Sequence, residues 1–246
     1  MKNAGGSSAP YIRYNQDVLP WPVGADFFSP ISWQEKGHLV GQAQGRVNAY
    51  AIVYLNKQFF LRHYQRGGLF APLLGDFYLW TGLSSTRAWR EFDLLAHMLS
   101  SGLPVPRPVA AMVKYKKCLY QADIVTECIP NASTLARLIR QDLIDGPLWK
   151  KIGSCIKRFH DHGVFHADLN AQNILIDKSH KVWLIDFDRG FQNHLKRRQK
   201  KSNLYRLHRS LSKIWQGKHT DQHKFQSWKA LLIGYTGPDT SHDPCP

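Results

Sequence analysis

The sequence predicts an α+β fold of two lobes, the first mainly antiparallel sheet with one helix and the second mainly helical. Strand-type runs crowd residues 28–129, interrupted by a single helical pattern. From about Pro130 the apolar spacing changes to the helical period. A short link near residues 127–132 separates the two halves, and two lobes with a cleft between them is the natural outcome. The expected division is therefore 1–27 as an irregular segment, 28–129 as the first lobe and 130–246 as the second.

The elements follow in chain order. "MKNAGGSSAP" holds one Lys and no apolar stretch, so it reads as a loose start rather than a secretory signal. "YNQDVLPWPVGADFFSPISW" mixes Pro, Gly and aromatics, the composition of irregular chain packed by its large rings. "GRVNAYAIVYLNKQFFLRHY" carries two β-rich runs, 49–55 and 58–64, with Asn56-Lys57 as the turn of a hairpin. In "STRAWREFDLLAHMLSSG" the residues Trp89, Phe92, Leu95, Ala96 and Leu99 share one helical stripe, and Gly102 stands where the helix should end. "LPVPRPVAAMVKYKKCLYQADIVTECI" is again strand-like around a Lys-rich turn.

Beyond the link, Leu135, Leu138 and Ile139 mark one helix, and Leu148, Ile152, Ile156 and Phe159 a second, closed by Gly163. "ILI" at 174–176 and "VWLI" at 182–185 flank the polar run 177–181, which is a hairpin pattern with Asp177 in the turn. A long basic helical tail completes the chain.

Bulk properties restrict the partners. A formal net charge of +15 predicts an anionic one: nucleic acid, an acidic membrane face or a phosphorylated substrate. No apolar run is long enough to cross a bilayer. The cysteines at 118, 128, 155 and 245 lack any metal-type spacing, which fits a reducing compartment and argues against zinc.

The chemistry concentrates in "FHADLNAQNILIDKSHKVWLIDFDRG". Asp168 and Asn173 precede the first strand of the hairpin and Asp186 follows the second. The open ends of a hairpin lie together, so these oxygen-bearing side chains should converge. His166 to Asn173 fits H-x-D-x-x-x-x-N, and "DFD" at 186–188 stands where protein kinases carry D-F-G. Kinase-like phosphotransfer needs one carboxylate to accept or orient the attacking hydroxyl's proton, the part expected of Asp168. It also needs oxygen ligands to hold Mg²⁺ against the ATP phosphates, the part expected of Asn173 and Asp186.

Upstream, Gly41 and Gly45 open a weak glycine-rich loop before a strand. Arg62 occupies the strand position of the usual kinase lysine, with Glu91 as the expected partner and Asp93 as the lesser candidate. The backbone groups of Glu127 and Ile129 in the link are expected to face adenine. No A-P-E and no long segment follow Asp186, and Asn170 stands where a Lys often follows H-x-D-L. A small or lipid-linked acceptor therefore fits better than a peptide.

The strings "LRHYQRGGL", "GLPVPRPVAA", "HADLNAQNIL" and "LIDFDRG", spread between Phe28 and Phe191, closely resemble the 3-deoxy-D-manno-octulosonic acid (Kdo) kinases of Gram-negative bacteria. The resemblance implies a protein-kinase-like fold and an alcohol-group phosphotransferase. It implies transfer of the ATP γ-phosphoryl group to the 4-hydroxyl of Kdo in Kdo–lipid A, at the cytoplasmic face of the inner membrane. It assigns Asp168 as catalytic and Asn173 and Asp186 as metal ligands, and it makes Arg62 a family trait within "LRHY". Arg66-Gly67-Gly68 and Asp188-Arg189-Gly190 are candidates for the acidic substrate, and Arg107 is as readily structural as functional.

Between Arg189 and Thr220 there is no acidic residue, while Lys196, Arg197, Arg198, Lys200, Lys201, Arg206, Arg209 and Lys213 accumulate. Leu204, Leu207, Leu211, Ile214 and Trp215 form an apolar stripe expected to pack inward. The charged face is expected to attach peripherally to an anionic membrane surface. The rival readings are a kinase of another sugar, such as a core heptose or an aminoglycoside-like molecule, an inactive pseudokinase, and a nucleic-acid-binding module. No nucleic acid is expected, because the aromatics do not interleave with the basic residues as stacking platforms.

Overall fold

The computed structural model describes residues 9–42, 49–65, 75–217 and 219–237. Gly45 and Arg66-Gly67-Gly68 lie outside them. One compact unit lies within Met1–Ala96 and Arg107–Cys128, the other within His97–Pro106 and Ile129–Pro246.

The first unit is built on an antiparallel sheet. Its strands are β1 (Tyr11–Tyr14), β2 (Leu39–Gln42), β3 (Ala49–Tyr54), β4 (Lys57–His63), β5 (Tyr78–Leu79), β6 (Pro108–Lys116) and β7 (Leu119–Glu127). Their order is β1-β6-β7-β4-β3-β2, with β5 also pairing β7. The turn between β3 and β4 falls at Leu55 and Asn56, with φ of 50° and 57°. Two left-handed residues in a row are what a tight hairpin requires to follow the strand twist. The expected turn was one residue later, but Lys57 instead pairs with Tyr54.

Residues 11–14 are strand where irregular chain was expected. β6 is buried from Pro108 to Val113 and needs a neighbour on each side, and Tyr11 to Tyr14 pair with Val113 to Ala110. A four-residue strand leaves little periodicity to detect. The Pro- and aromatic-rich segment behaves as expected: Val18, Leu19, Phe27, Phe28 and Trp33 join Ile52, Phe59, Leu61 and Val125 in one core. Within it, α1 (Pro30–Glu35) is capped by Ser29, whose side chain accepts from the Ser32 N–H.

Helix α2 (Arg87–Ser100) buries Ala88, Glu91, Phe92, Leu95 and Met98. That face is turned by about one residue from the predicted stripe, since Ala96 is exposed. The buried face includes Glu91, a charged residue that an apolar-only stripe leaves out.

The second unit holds α3 (Leu135–Arg140), α4 (Gly146–Asp161), α5 (Arg197–Trp215) and α6 (Asp221–Thr236). Three short strands, β8 (Ser133–Thr134), β10 (Ile174–Ile176) and β11 (Val182–Leu184), form a sheet in the order β11-β10-β8. The strands β9 (Val164–Phe165) and β12 (Phe191–Gln192) pair separately. The expected hairpin is thus present at 174–184. Asp177 holds its turn, its carboxylate accepting from the N–H groups of Ser179 and Lys181 and from the Trp183 indole. Together with the bond from the Ser179 hydroxyl, these hold its pKa down at about 2 against partial burial, which favours the acid form.

Helices α4 and α6 meet backbone to backbone. A Cβ at Gly153 would lie 1.9 Å from the Leu231 carbonyl oxygen, and one at Gly234 would lie 1.9 Å from that of Lys150. Helix α5 buries Asn203, Leu204, Leu207, Leu211 and Trp215 and exposes Arg197, Arg198, Lys201, Arg209 and Lys213. The apolar stripe packs inward, as its spacing predicts. Among the described residues no helix is long and apolar enough to cross a membrane.

Candidate active site

His166 organises the loop before the hairpin. It is 2% exposed, and burial pushes its pKa down, so the ring is neutral. Its Nδ1 accepts from the Asp168 N–H at 3.2 Å, which places the proton on Nε2, and that nitrogen donates to the Ile185 carbonyl at 2.9 Å. One ring therefore ties the backbone of Asp168 to the residue before Asp186. The backbone continues the pairing, the Ile185 N–H donating to the Asn173 carbonyl at 3.0 Å. Asp168, Asn173 and Asp186 are thereby brought to the open end of the hairpin, as the spacing implied.

Their settings differ. The Asp168 side chain is 60% exposed. Asn173 is buried, its Nδ2 donating to the Asp168 carbonyl at 3.0 Å. Asp186 has φ of 69°, a left-handed conformation that Asp tolerates and that costs on the order of 1 kcal/mol or more. Phe187 is buried against Phe159 and His166, anchoring the DFD run in the unit's core. Arg189 is also left-handed, at φ 61°, and the Gly190 N–H closes that turn on Phe187.

Asn170 takes a local role. Its Nδ2 donates to the Asp168 carboxylate at 3.0 Å, and its Oδ1 accepts from the N–H groups of Gln172 and Asn173.

The sequence reading missed the support from α5. Asn203 accepts from the His166 N–H and donates to its carbonyl at 2.9 Å. It also accepts from His160, whose other nitrogen accepts from the Tyr235 hydroxyl at 2.8 Å. Burial pushes the His160 pKa down to about 4 and the Tyr235 pKa up to about 12, so this chain is neutral throughout. Further along α5, Ser210 accepts from the Ala171 N–H, and Arg206 stands 3.6 Å from the Asp168 carboxylate. The available signal was Asn203, a polar residue beside the apolar stripe with Ser210 two turns on.

In the first unit, Arg62 donates to Glu91 at 2.5 Å, and Tyr64 donates to the same carboxylate oxygen at 2.5 Å. Arg62 also lies over the Tyr64 ring, 4.8 Å from its centroid. The Glu91 side chain is 3% exposed and that of Arg62 18%. Glu91 is thus buried in the ion pair, and Asp93 pairs with Arg13 instead. Tyr64 went unnoticed, although it shares a strand face with Arg62 at spacing two.

A buried carboxylate left without its cation is strongly destabilising, so Arg62 and Glu91 should act as one unit. Losses in ATP handling from Arg62→Ala and Glu91→Ala are expected to be non-additive by 0.5–3 kcal/mol. Initial rates over an ATP series for both single variants and the double variant measure this. Fully additive losses would leave Glu91 without a part in the pair's function.

In the link, the Glu127 N–H donates to the Arg107 carbonyl, and its carboxylate meets Lys57 and Arg107 at 3.2 and 3.5 Å. That N–H is not a donor for a base, and Arg107 has a structural part. The Cys128 N–H is taken by the Gln58 carbonyl, and Ile129 begins the second unit's portion of the link. Gly41 lies in β2, at a register shift against β3.

Among the described residues no three or more His, Cys, Asp or Glu are grouped to hold a metal unaided. Asn173 and Asp186 nonetheless fit one kind of ion. An amide and a carboxylate are hard oxygen donors, and Mg²⁺ takes one or two protein ligands when phosphate oxygens and water complete its shell.

The model of the lipopolysaccharide kinase (Kdo/WaaP) family matches residues 31–235. A 3-deoxy-D-manno-octulosonic acid kinase of Vibrio cholerae serotype O1 is 43% identical over 185 residues, covering 75% of this chain and 78% of that protein. The protein of the same name from Photobacterium profundum is 41% identical over 212 residues, covering 86% and 89%. That of Photobacterium damsela subsp. piscicida is 40% identical over 222 residues, covering 90% and 91%.

Proposed function

The chain belongs to the lipopolysaccharide kinase (Kdo/WaaP) family, and on that premise we propose that it transfers the γ-phosphoryl group of ATP to the 4-hydroxyl of Kdo in Kdo–lipid A. The fold is protein-kinase-like, and membership of a kinase family implies ATP as the donor. The observation that carries the reading is the loop at Asp168: an exposed carboxylate on a backbone fixed by His166 and Asn203, with Asn173 tied to its carbonyl.

In this reading Asp168 accepts the proton of the attacking hydroxyl and aims its oxygen at the phosphorus. Asn173 and Asp186 hold Mg²⁺, which when bound neutralises charge on the phosphates. Arg62, oriented by Glu91 and Tyr64, grips phosphate oxygens in the part that a strand lysine plays in other kinases. The neutral His166 holds geometry and moves no proton. An assay of ADP release with Kdo–lipid A, free Kdo, a heptosylated acceptor and RNA tests the proposal. Phosphate appearing on the Kdo 4-hydroxyl is expected, and turnover confined to the heptosylated acceptor would sink it.

The same proposal extends to location. The exposed basic residues of α5 face away from its buried stripe, and Lys or Arg beside an anionic leaflet contributes about 1 kcal/mol each. We propose that this face rests on the anionic cytoplasmic leaflet of the inner membrane. Such attraction is screened over about 10 Å at 0.1 M salt. Co-sedimentation with anionic vesicles should fall steeply across a salt series, and Lys196→Glu with Lys201→Glu should weaken it further. Salt-independent partitioning is the result that defeats this location.

A further inference from the structure

We infer that Arg206 determines specificity for an acidic acceptor by pairing with the acceptor's own carboxylate beside Asp168; this rests on the Kdo kinase reading. The argument begins with its position. Asn203, Arg206 and Ser210 follow one flank of α5, and the outer two bond the backbone of His166 and Ala171. The helix therefore fixes where the Arg206 backbone stands relative to Asp168.

Its present contact does not satisfy it. At 3.6 Å from Asp168 Oδ1 the guanidinium is outside hydrogen-bond range, and among the described residues it pairs with no other side chain. Both side chains are more than half exposed, at 51% and 60%. An exposed pair of this kind contributes about 0–1 kcal/mol, so stability does not explain the placement. A guanidinium has five N–H donors in a fork that matches a carboxylate bidentately.

The ligand chemistry follows from Asp168. An acceptor hydroxyl that gives its proton to this carboxylate must approach within about 2.6–3.2 Å. Substituents of the same sugar ring then lie beside the guanidinium. Residues 166–173 contain no Lys or Arg, so the loop supplies no cation of its own. A sugar acid brings a carboxylate into this space, and Arg206 is the cation positioned to meet it.

The test crosses the residue with the substrate group. Wild type, Arg206→Gln and Arg206→Lys are assayed with Kdo–lipid A and with the acceptor whose Kdo carboxylate has been converted to the carboxamide. A lost charge-assisted pair should raise the acceptor KM about 10–100-fold in Arg206→Gln, with the ATP KM unchanged and Arg206→Lys intermediate. Wild type on the carboxamide should show the same loss, and Arg206→Gln on the carboxamide no more than about twofold further loss. Unchanged thermal melting separates this from misfolding. Independent, multiplying losses overturn the inference, as does a fall in kcat on both acceptors with the acceptor KM unchanged, which would put Arg206 on the transferred phosphoryl group. Wild type inactive on the native acceptor overturns the Kdo reading itself, whereas an active wild type indifferent to the carboxamide overturns only the part given to Arg206.

Discussion

Asp168→Asn is expected to lower turnover about 10²–10⁴-fold while leaving nucleotide binding nearly intact. The amide keeps the size of the carboxylate and an oxygen able to accept from Asn170, so the loop has no reason to move. The backbone anchor to His166 does not involve the side chain at all. What is lost is the ability to take the hydroxyl's proton. The measurements are kcat with Kdo–lipid A and ATP affinity by calorimetry. Asp186→Ala is the contrast: it removes a proposed metal ligand, so Mg²⁺-dependent nucleotide binding should fall together with activity. Near-normal turnover of Asp168→Asn would remove this residue from the chemistry.

The largest stability effect is expected at the crossing of α4 and α6. Gly153→Ala puts a methyl group where the Leu231 carbonyl oxygen already lies within 1.9 Å, and the Tyr235 nitrogen is 2.7 Å away. Those atoms are backbone and cannot rotate aside, so the helices must separate. Overpacking of this kind costs about 1–3 kcal/mol and more where the backbone is rigid. At about 2–4 °C per kcal/mol for a chain of this size, melting should fall by roughly 6–12 °C if the cost reaches 3 kcal/mol. Gly146→Ala, in the same helix, is the control: a Cβ there meets nothing within 4 Å, so little change is expected. Equal melting of the two variants would mean that the close crossing contributes nothing.

How much of this was legible depended on whether the cause was local. The hairpin at 174–184 announces itself through two apolar runs and a polar turn, and strand geometry puts Asn173 and Asp186 at its open end, whereas Asp168 is held there by His166 and Asn203. The pairing of Arg62 with Glu91 was legible from kinase spacing, but the burial of Glu91 was not, because a lone Glu on a helix reads as solvent-facing. The stripe predicted for α2 counted apolar residues alone and so left this buried Glu out of its face. Strand β1 escaped notice because its existence depends on the need of β6 for an edge partner. Asn203, Arg206 and Ser210 read as ordinary members of a basic helix. Their part becomes visible only when that helix is laid against a loop some 37 residues earlier. The two helix-interior glycines carried a signal that periodicity ignores: a Gly inside a helix costs about 1 kcal/mol against Ala, and the close crossing of α4 and α6 requires it here.

The clamp of Asn203 on the backbone of His166 also sets a schedule. Asn203 is translated 37 residues after His166, and Tyr235 75 residues after the His160 that it supports. At about 5–20 residues per second, the loop bearing Asp168 spends roughly 2–7 s on the ribosome before its clamp from Asn203 exists. The neutral chain behind that fastening closes roughly 4–15 s after His160 is made. The nascent polypeptide therefore carries its reactive carboxylate for a time before the helix that clamps its loop exists. The crossing of α6 on α4 can form only later still, once both helices have been made. A ribosome stalled between codons 186 and 203 would hold a chain with Asp168, Asn173 and Asp186 but without the helix that clamps their loop.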